Sequence, residues 1–400
     1  MKTTGDLPLQ GVRVLELGQL IAGPFCARLL ADFGADVIKV EPPGVGDPLR
    51  NWRQLRNGTS LWWHAQSRNK KSVAIDLRQE EGREIVRALA ARTDILVENF
   101  RPGTLEAWKL GYDDLSAANP GLVLVRVSGY GQTGPYRDRP GFGVIGESMG
   151  GLRYLTGEPG RLPVRVGVSI GDSLAALHGA LGAMMALHQR ARNGGRGQVV
   201  DVALYESVFN LMESLVPEYE ASGIVREPTG GALAGIAPSN AYHCADGVIL
   251  IGGNGDGIFR RLMNCIGRTD LSERSDLRSN AGRVAKREEI DEAIDAWTRE
   301  RDTVSALESM DRAGVPAGRV YTVADIVKDP QYIAREMIAH HKAFDDETVA
   351  VPAVVPKLSD TPGRVRVRAP RLGEHTDEVL RALGFPEGRI ARWRESGVIQ

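Results

Sequence analysis

The chain lacks most of what would support metal, disulfide or polyanion chemistry. Its three cysteines, Cys26, Cys244 and Cys265, show no C-x-x-C spacing. Neither a disulfide framework nor a zinc site is expected, and a reducing compartment is implied. There is no basic excess: 50 Lys and Arg against 51 Asp and Glu leave a formal charge of −1, which argues against a nucleic-acid partner. None of the 7 histidines pairs with a carboxylate at metal spacing, so no metal is expected. No uncharged apolar run reaches the ~18 residues of a membrane span. Residues Met1 to Pro8 carry neither an apolar stretch nor an arginine-rich amphipathic pattern, so no export signal is read and the cytoplasm is the expected location. The phosphate-binding G-x-x-x-x-G-K-[ST] loop, a G-x-G-x-x-G after the first strand, the G-x-S-x-G elbow and H-E-x-x-H are all missing. The run Gly252–Gly257 reads as a tight turn before it reads as a nucleotide site.

What is present is a folded composition, 42% hydrophobic and 25% charged, which excludes disorder as the main state. Glycine is abundant, 47 of 400 residues. The glycines form no repeat, and they sit among apolar runs where backbone must turn sharply or approach something closely.

From Gly11 the pattern alternates between strand and helix. Val12–Leu17, Ala35–Glu41, Ser72–Leu77, Asp94–Val97 and Gly121–Val127 read as strands; Phe25–Phe33 and Gln79–Ala91 read as helices. Strands separated by helices predict a parallel, Rossmann-like α/β sheet. Ser173–Arg190 is the strongest helix, with Gly179 and Gly182 marking close packing. Beyond Pro228 the character changes to a glycine-rich loop, a hairpin at Ser239–Ile251 and further helices. The expected division is therefore a large domain over 1–225, a small α+β domain over 226–330, and a tail over 331–400 that returns to the large domain.

Asp172 stands out, because an apolar segment passes through Gly171 and this acid into the strong helix. It is either the helix cap, accepting the first free N–H groups, or a nucleophile or acid/base beside a glycine that admits a ligand. Val97–Gly103 follows a strand end, where open α/β sheets bind ligands, or is a plain turn. Ser67–Ser72 leads basic charge into a strand and is either a phosphate contact or a solvated loop.

These stretches, taken in order, resemble the class III CoA-transferases (CaiB/BaiF type). The matching residues are Ala22-Gly23-Pro24, Gly34–Glu41, Asn69–Ser72, Val97–Phe100, Gly129–Pro135, Gly171-Asp172, Gly195–Gln198 and Arg371–Thr376, spread over residues 9 to 395. The family contains formyl-CoA:oxalate, succinyl-CoA:glutarate and carnitine CoA-transferases, with α-methylacyl-CoA racemases as relatives. The resemblance implies a Rossmann-like domain built from both chain ends, a small domain between, and an interlocked homodimer. It implies that Asp172 is the nucleophile, passing through an aspartyl anhydride and an aspartyl-CoA thioester. CoA thioesters are then substrates, and no cofactor is bound permanently. The implied CoA contacts are Ile21 and Ala22, Ile75, Asp76, Leu77 and Arg78, and Asn99, Phe100 and Arg101. The implied mobile loop is Gly230 to Gly235, including Gly231.

The sequence departs from the oxalate enzyme in several places. Ile21 replaces a substrate-touching glutamine, Pro42 and Ala107 replace CoA-binding arginines, and Gly143 replaces an acid common nearby. Arg78, Arg101, Arg139 or Lys39 are therefore candidates for the CoA phosphates. The racemases use a histidine in a Gly-His-Asp segment that would match Gly141-Phe142-Gly143, and no histidine lies between His64 and His178. Proton transfer of that kind and a non-catalytic CoA-binding role are the alternatives. For the acceptor, Arg53 or Arg56 could hold the distal carboxylate of a short dicarboxylic acid bidentately, or they belong to a surface loop. Succinyl-CoA is the plausible donor.

Overall fold

The computed structural model describes residues 7–400, so the expectation for Met1–Pro8 falls largely outside the described residues. The alternating pattern becomes a six-stranded sheet of β1 (Arg13–Glu16), β2 (Asp36–Glu41), β3 (Lys70–Ala74), β4 (Ile95–Glu98), β5 (Val123–Ser128) and β6 (Val199–Ala203). All its pairings are parallel and its order is β3-β2-β1-β4-β5-β6. This is the Rossmann order, which changes direction between β1 and β4. Ligands of such sheets bind at the C-terminal strand ends beside that point. Strands β4 and β5 are buried residue after residue, as strands covered on both faces must be.

Two apolar layers cover the sheet. On one face α3 (Glu80–Ala90) supplies Ile85, Val86 and Leu89 to a core with Leu15, Leu96 and Leu124. On the other, α1 (Ala22–Asp32) and α5 (Ile170–Arg190) supply Ala27, Leu30, Ala175 and Ala183 against Val14, Val97 and Val125. Between them in sequence lie α2 (Leu61–Gln66) and α4 (Gly143–Met149). Helix α5 lies tight against the sheet. A Cβ on Gly179 would stand 3.2 Å from Val125 Cγ1, and one on Gly182 would stand 2.5 Å from Val200 Cγ1. By length and composition alone α5 is the one described helix that could cross a membrane; its alanines are instead packed on the sheet.

The first core is completed by the end of the chain. Helices α6 (Thr376–Ala382) and α7 (Glu387–Glu395) add Val379, Leu380, Ile390 and Trp393. Ile75 bridges to Ile399, and the Asp76 N–H donates to the Val398 carbonyl at 2.8 Å.

The described chain divides into two compact units. One takes in the chain up to Leu152, Val166–Glu213 and Pro330–Gln400; the other takes in Arg153–Arg165 and Ser214–Asp329. These bounds differ from the 226–330 read from sequence because flanking residues bond into the second unit. The Tyr154 hydroxyl donates to Glu227, and the Gly230 N–H donates to the Gly157 carbonyl. The second unit has its own antiparallel sheet of Ser239–Cys244, Gly247–Gly252 and Ala317–Arg319. Its core gathers Tyr242, Ile249, Phe259, Leu262, Ile290 and Met310. The Gly252–Gly257 run is a turn tied from below, with wholly buried Arg283 donating to the Asn254 carbonyl at 2.9 Å and to Asp256 at 2.8 Å.

A hairpin of β7 (Ile338–Lys342) and β8 (Thr348–Pro352) packs beside α2. There His64 is buried, with its ring 5.0 Å from Phe344 edge to face. Burial, then the nearby His341 and Arg368, push its pKa down to about 4. The unfolded imidazole takes its proton near 6.5, so the unfolded state binds more protons between those values. Stability present above pH 6.5 is therefore lost as pH falls toward 4. We expect unfolding free energy from urea titration to drop by about 1–3 kcal/mol between pH 7.5 and pH 4.5 through this group, and His64→Gln to flatten the slope.

Candidate active site

The C-terminal end of β1 runs into a short loop, Leu17–Ile21, and directly into α1. The helix starts at Ala22, three residues earlier than the sequence pattern suggested. Pro24 falls in the first turn, where a missing N–H costs nothing. Five polar side chains hold this loop, nearly one per residue. Lys39 Nζ donates to the Gly18 carbonyl at 2.7 Å. Asn99 clamps Gln19 from both sides, accepting its N–H at 2.8 Å and donating to its carbonyl at 2.9 Å. Asp47 accepts the Leu20 N–H at 3.1 Å, Gln66 donates to the Ile21 carbonyl at 3.0 Å, and Lys70 donates to the Pro24 carbonyl at 2.7 Å. Leu20 is held at φ 65°, a left-handed conformation that costs a non-glycine residue about 1–3 kcal/mol.

The lysines are themselves anchored on Glu16, the last residue of β1. Lys39 Nζ lies 2.7 Å from Glu16 Oε1 and 2.8 Å from Asp47 Oδ2; Lys70 Nζ lies 2.7 Å from Glu16 Oε2, close but off the hydrogen-bond direction. Lys39, Lys70 and Glu16 have fully buried side chains. Burial pulls Lys39 down, but Asp47, Glu16 and Glu41 outweigh it and its pKa is raised. For Lys70 burial wins over Glu16 and the pKa is lowered. The phosphate role considered for Lys39 is thereby corrected: a wholly enclosed ammonium with three oxygen partners holds the loop and faces no ligand.

Asp172 lies in the first turn of α5, and the residue at the N-cap is Ser169. The capping position expected from spacing is therefore one turn-start too late, since the helix begins at Ile170. The half-buried carboxylate is at the end of the helix where the dipole favours negative charge. It is pressed onto the first residue of α4: a Cβ on Gly143 would stand 2.1 Å from Asp172 Oδ2. In turn, a Cβ on Gly171 would stand 2.8 Å from the Gly143 carbonyl oxygen. The absence of an acid at 143 now has a reason. There is no room for any side chain where the Asp172 carboxylate lies.

The predicted ligand residues at 21–22, 75–78 and 99–101 follow the C-terminal ends of sheet strands but differ in what they offer. Ile21 and Ala22 are the N-cap and first residue of α1, both buried as side chains, and the first N–H groups of a helix are open to an anion or a thioester oxygen. Ile75 is in the core, and Asp76 is engaged by the Arg78 guanidinium at 2.8 Å, leaving the rest of Arg78 81% exposed. Leu77 packs at the core margin. Phe100 stacks edge-on to Trp108, its N–H donating to Glu98 at 2.7 Å. Burial raises the Glu98 pKa to about 7 against the pull of Arg126. Arg101 is exposed, and exposed Arg139 stacks on Tyr136 at 3.7 Å. Gly230 and Gly235, both at positive φ, and Gly231 lie in the second unit.

The structure separates the two candidate arginines. Arg56 reaches to β8, 3.9 Å from Glu347 and 3.5 Å from the Thr348 carbonyl. Arg53 instead lies 4.6 Å over the Trp62 ring and lines a cavity of about 370 Å³ with Gln54. Leu61, Trp62 and Val168 make its apolar wall, and Ser169 and Ser173 complete it. Sequence reasoning missed these two serines and Val168. Their adjacency to Asp172 was the available signal. Gln66 and Asp47, the loop holders, carried no signal short of the fold. Among the described residues no three His, Cys, Asp or Glu side chains gather as metal ligands.

A Rossmann-ordered sheet with an acid at a glycine-lined helix start defines a doubly wound α/β protein with a ligand-binding edge. Comparison with known proteins makes this specific. The model of CoA-transferase family III matches residues 9–376. The chain is 51% identical over 395 residues to the succinyl-CoA–D-citramalate CoA-transferase of Chloroflexus aurantiacus, covering 98% of both chains. It is 33% identical to the succinate–glutarate CoA-transferase of Agrobacterium fabrum, over 94% of this chain and 96% of that one. The crystal structure of a CaiB/BaiF family protein from Brucella suis superposes with a TM-score of 0.84 at 36% identity, over 95% of this chain and 100% of that one. The protein belongs to CoA-transferase family III, as its motifs implied.

Gly143→Ala gives a direct test of the contact at Asp172. The added methyl meets the end of a flexible side chain, so the carboxylate swings away while the backbone stays. Displacing a reacting group by about 1 Å costs on the order of 10²-fold. We expect CoA transfer to fall by about that factor, with the melting temperature shifted by only a few degrees.

Proposed function

We propose that the protein transfers CoA from succinyl-CoA to a short dicarboxylic acid, with Asp172 as the nucleophile. The observation that carries this reading is the Asp172 carboxylate, in the first turn of α5 and pressed against Gly143, in a chain of a CoA-transferase family. A carboxylate oxygen of Asp172 adds to the donor thioester carbonyl, the C–S bond breaks, and CoA leaves as its thiolate. The product is an aspartyl–succinyl anhydride. The thiolate then adds to the aspartyl carbonyl, releasing succinate and leaving an aspartyl-CoA thioester. The acceptor carboxylate repeats the sequence in reverse: it displaces the thiolate to form a new anhydride, and the thiolate takes the acceptor acyl group and frees Asp172. Splitting the exchange this way avoids a direct attack of one weak nucleophile on another acid. Each addition develops an oxyanion that backbone N–H groups stabilise.

In this reading the held loop and the start of α1, at Ile21 and Ala22, receive the thioester arm. Arg78, Arg101 and Arg139 remain the exposed cations for the CoA phosphates. The acceptor class is supported by Arg53, and the donor and acceptor names of the citramalate and glutarate transferases point the same way.

We also propose a homodimer. One face of α5 exposes Leu177, Leu181, Met184 and Met185, a helical apolar stripe that a monomer would leave in water.

Incubation with succinyl-CoA and hydroxylamine in the absence of acceptor is expected to leave a hydroxamate on Asp172, read by peptide mass. Asp172→Asn is expected to lose at least about 10³-fold in transfer rate; full activity in this variant overturns the assignment. Light scattering is expected to give about twice the 43.4 kDa chain mass, and a monomer would remove the dimer proposal.

A further inference from the structure

We infer that Glu98 is a positioning residue for the donor: braced by Arg126 and Glu106, it sets where the segment Asn99–Arg101 stands when CoA binds. The inference rests on the transferase reading, in which Arg101 meets the CoA phosphates. Glu98 ends β4, and its register partner on β5 is Arg126. Two residues earlier, on the same face of each strand, stand Leu96 and Leu124 of the first core. The apolar face of the sheet therefore gives way to charge at its C-terminal edge. Glu98 is 1% exposed and Arg126 7%. An apolar pair of the same volume would serve the core as well or better, so the ion pair answers another need.

That need is visible in how the two oxygens of Glu98 are used. Oε1 accepts from Arg126 Nε at 2.8 Å, and Oε2 accepts the Phe100 N–H at 2.7 Å. Glu106 grips the far side of the guanidinium, accepting from Nη1 at 2.6 Å and from Nη2 at 3.1 Å. Glu106 belongs to the short helix Thr104–Ala107, and Trp108 directly after it meets the Phe100 ring edge-on at 5.3 Å. The brace thus runs from the strand end through arginine and helix back to Phe100. Asn99 reaches the other way and clamps Gln19, and the Arg101 carbonyl accepts the Thr104 N–H at 3.1 Å. Arg101 leaves a backbone held on both sides, with its side chain exposed. A glutamine at 98 cannot replace the acid. It has one acceptor oxygen and an amide that donates, so it satisfies either Phe100 or Arg126 and turns N–H groups toward the other.

The test uses Glu98→Gln with succinyl-CoA as donor and citramalate as acceptor. Assays run at about pH 8, where the carboxyl, raised by burial to about 7, is ionised in the wild type. The variant is expected to raise KM for succinyl-CoA and Kd for CoA by about tenfold, the loss of one hydrogen bond to a charged group, while KM for citramalate changes less than about twofold. Arg126→Lys, which still pairs with Glu98, is expected to keep the donor KM within about threefold of wild type. A Glu98→Gln enzyme with the wild-type donor KM, or one in which donor and acceptor KM rise alike, overturns the inference. Hydrogen exchange on the unliganded wild type needs no variant to fold. The Phe100 amide is expected to exchange at least about 100-fold more slowly than an open amide, and unprotected exchange there overturns the brace. Hydroxamate trapping on wild-type Asp172 separates the two readings. A trapped hydroxamate together with an unchanged donor KM in Glu98→Gln removes this inference alone. No trapped hydroxamate removes the transferase reading and this inference with it.

Discussion

Glu16 ends the central strand of the sheet with its carboxylate enclosed between two ammonium groups, those of Lys39 and Lys70. Burying three charges is expensive, and replacing such a cluster by apolar residues of equal volume is often neutral or stabilising. A core alone would not require it. What it supplies here is a fixed grid of donors beneath the loop from Gly18 to Pro24. Each lysine pairs with Glu16 and donates a proton to a backbone carbonyl, Lys39 to Gly18 and Lys70 to Pro24, and Asp47 adds an acceptor for Leu20. The strained conformation of Leu20 persists because its neighbours on both sides are held from outside the loop.

The same arrangement explains why the recognisable motifs are spread along the chain. Lys39 comes from β2, Lys70 from the start of β3, Asn99 from the end of β4, and Gln66 from α2. They share no sequence neighbourhood, yet all end on seven consecutive residues after β1. Pro42 and Ala107, which lack the arginines of the oxalate enzyme, lie outside this grid. The grid positions a helix start, and the cationic contacts around it can shift without disturbing it.

The start of α5 is placed by sterics more than by charge. Gly143 and Gly171 bring two helix starts together so closely that a methyl group on either would collide. Asp172 therefore has its place set by absence of side chains, while the cavity beside it carries one arginine, two hydroxyls and an apolar wall. Carboxylate and cavity lie on adjoining parts of one segment, residues 168 to 173.

How much of this was legible in the sequence follows from which interactions are local. The parallel sheet and α5 could be read because apolar periodicity is a property of neighbouring residues: the strands start and stop within a few residues of the pattern. Asp172 was visible as an acid entering a strong helix, though spacing alone left it between cap and nucleophile. The two-residue ladder of Leu55–Arg56 with Thr59–Ser60, the β7–β8 hairpin and α4 were not read, since short elements rich in polar residues and glycine carry little periodicity. Lys39 shows the limit most clearly. In sequence it is a basic residue inside a strand, as suitable for a phosphate as for a core. Its partners Glu16 and Asp47 lie 23 and 8 positions away, and only the folding of three strands side by side encloses it. The sequence by itself determined the class of fold and the family. The tertiary structure decided which charges are enclosed and which arginine lines a cavity, because burial is a property of what packs around a residue and not of the residue itself.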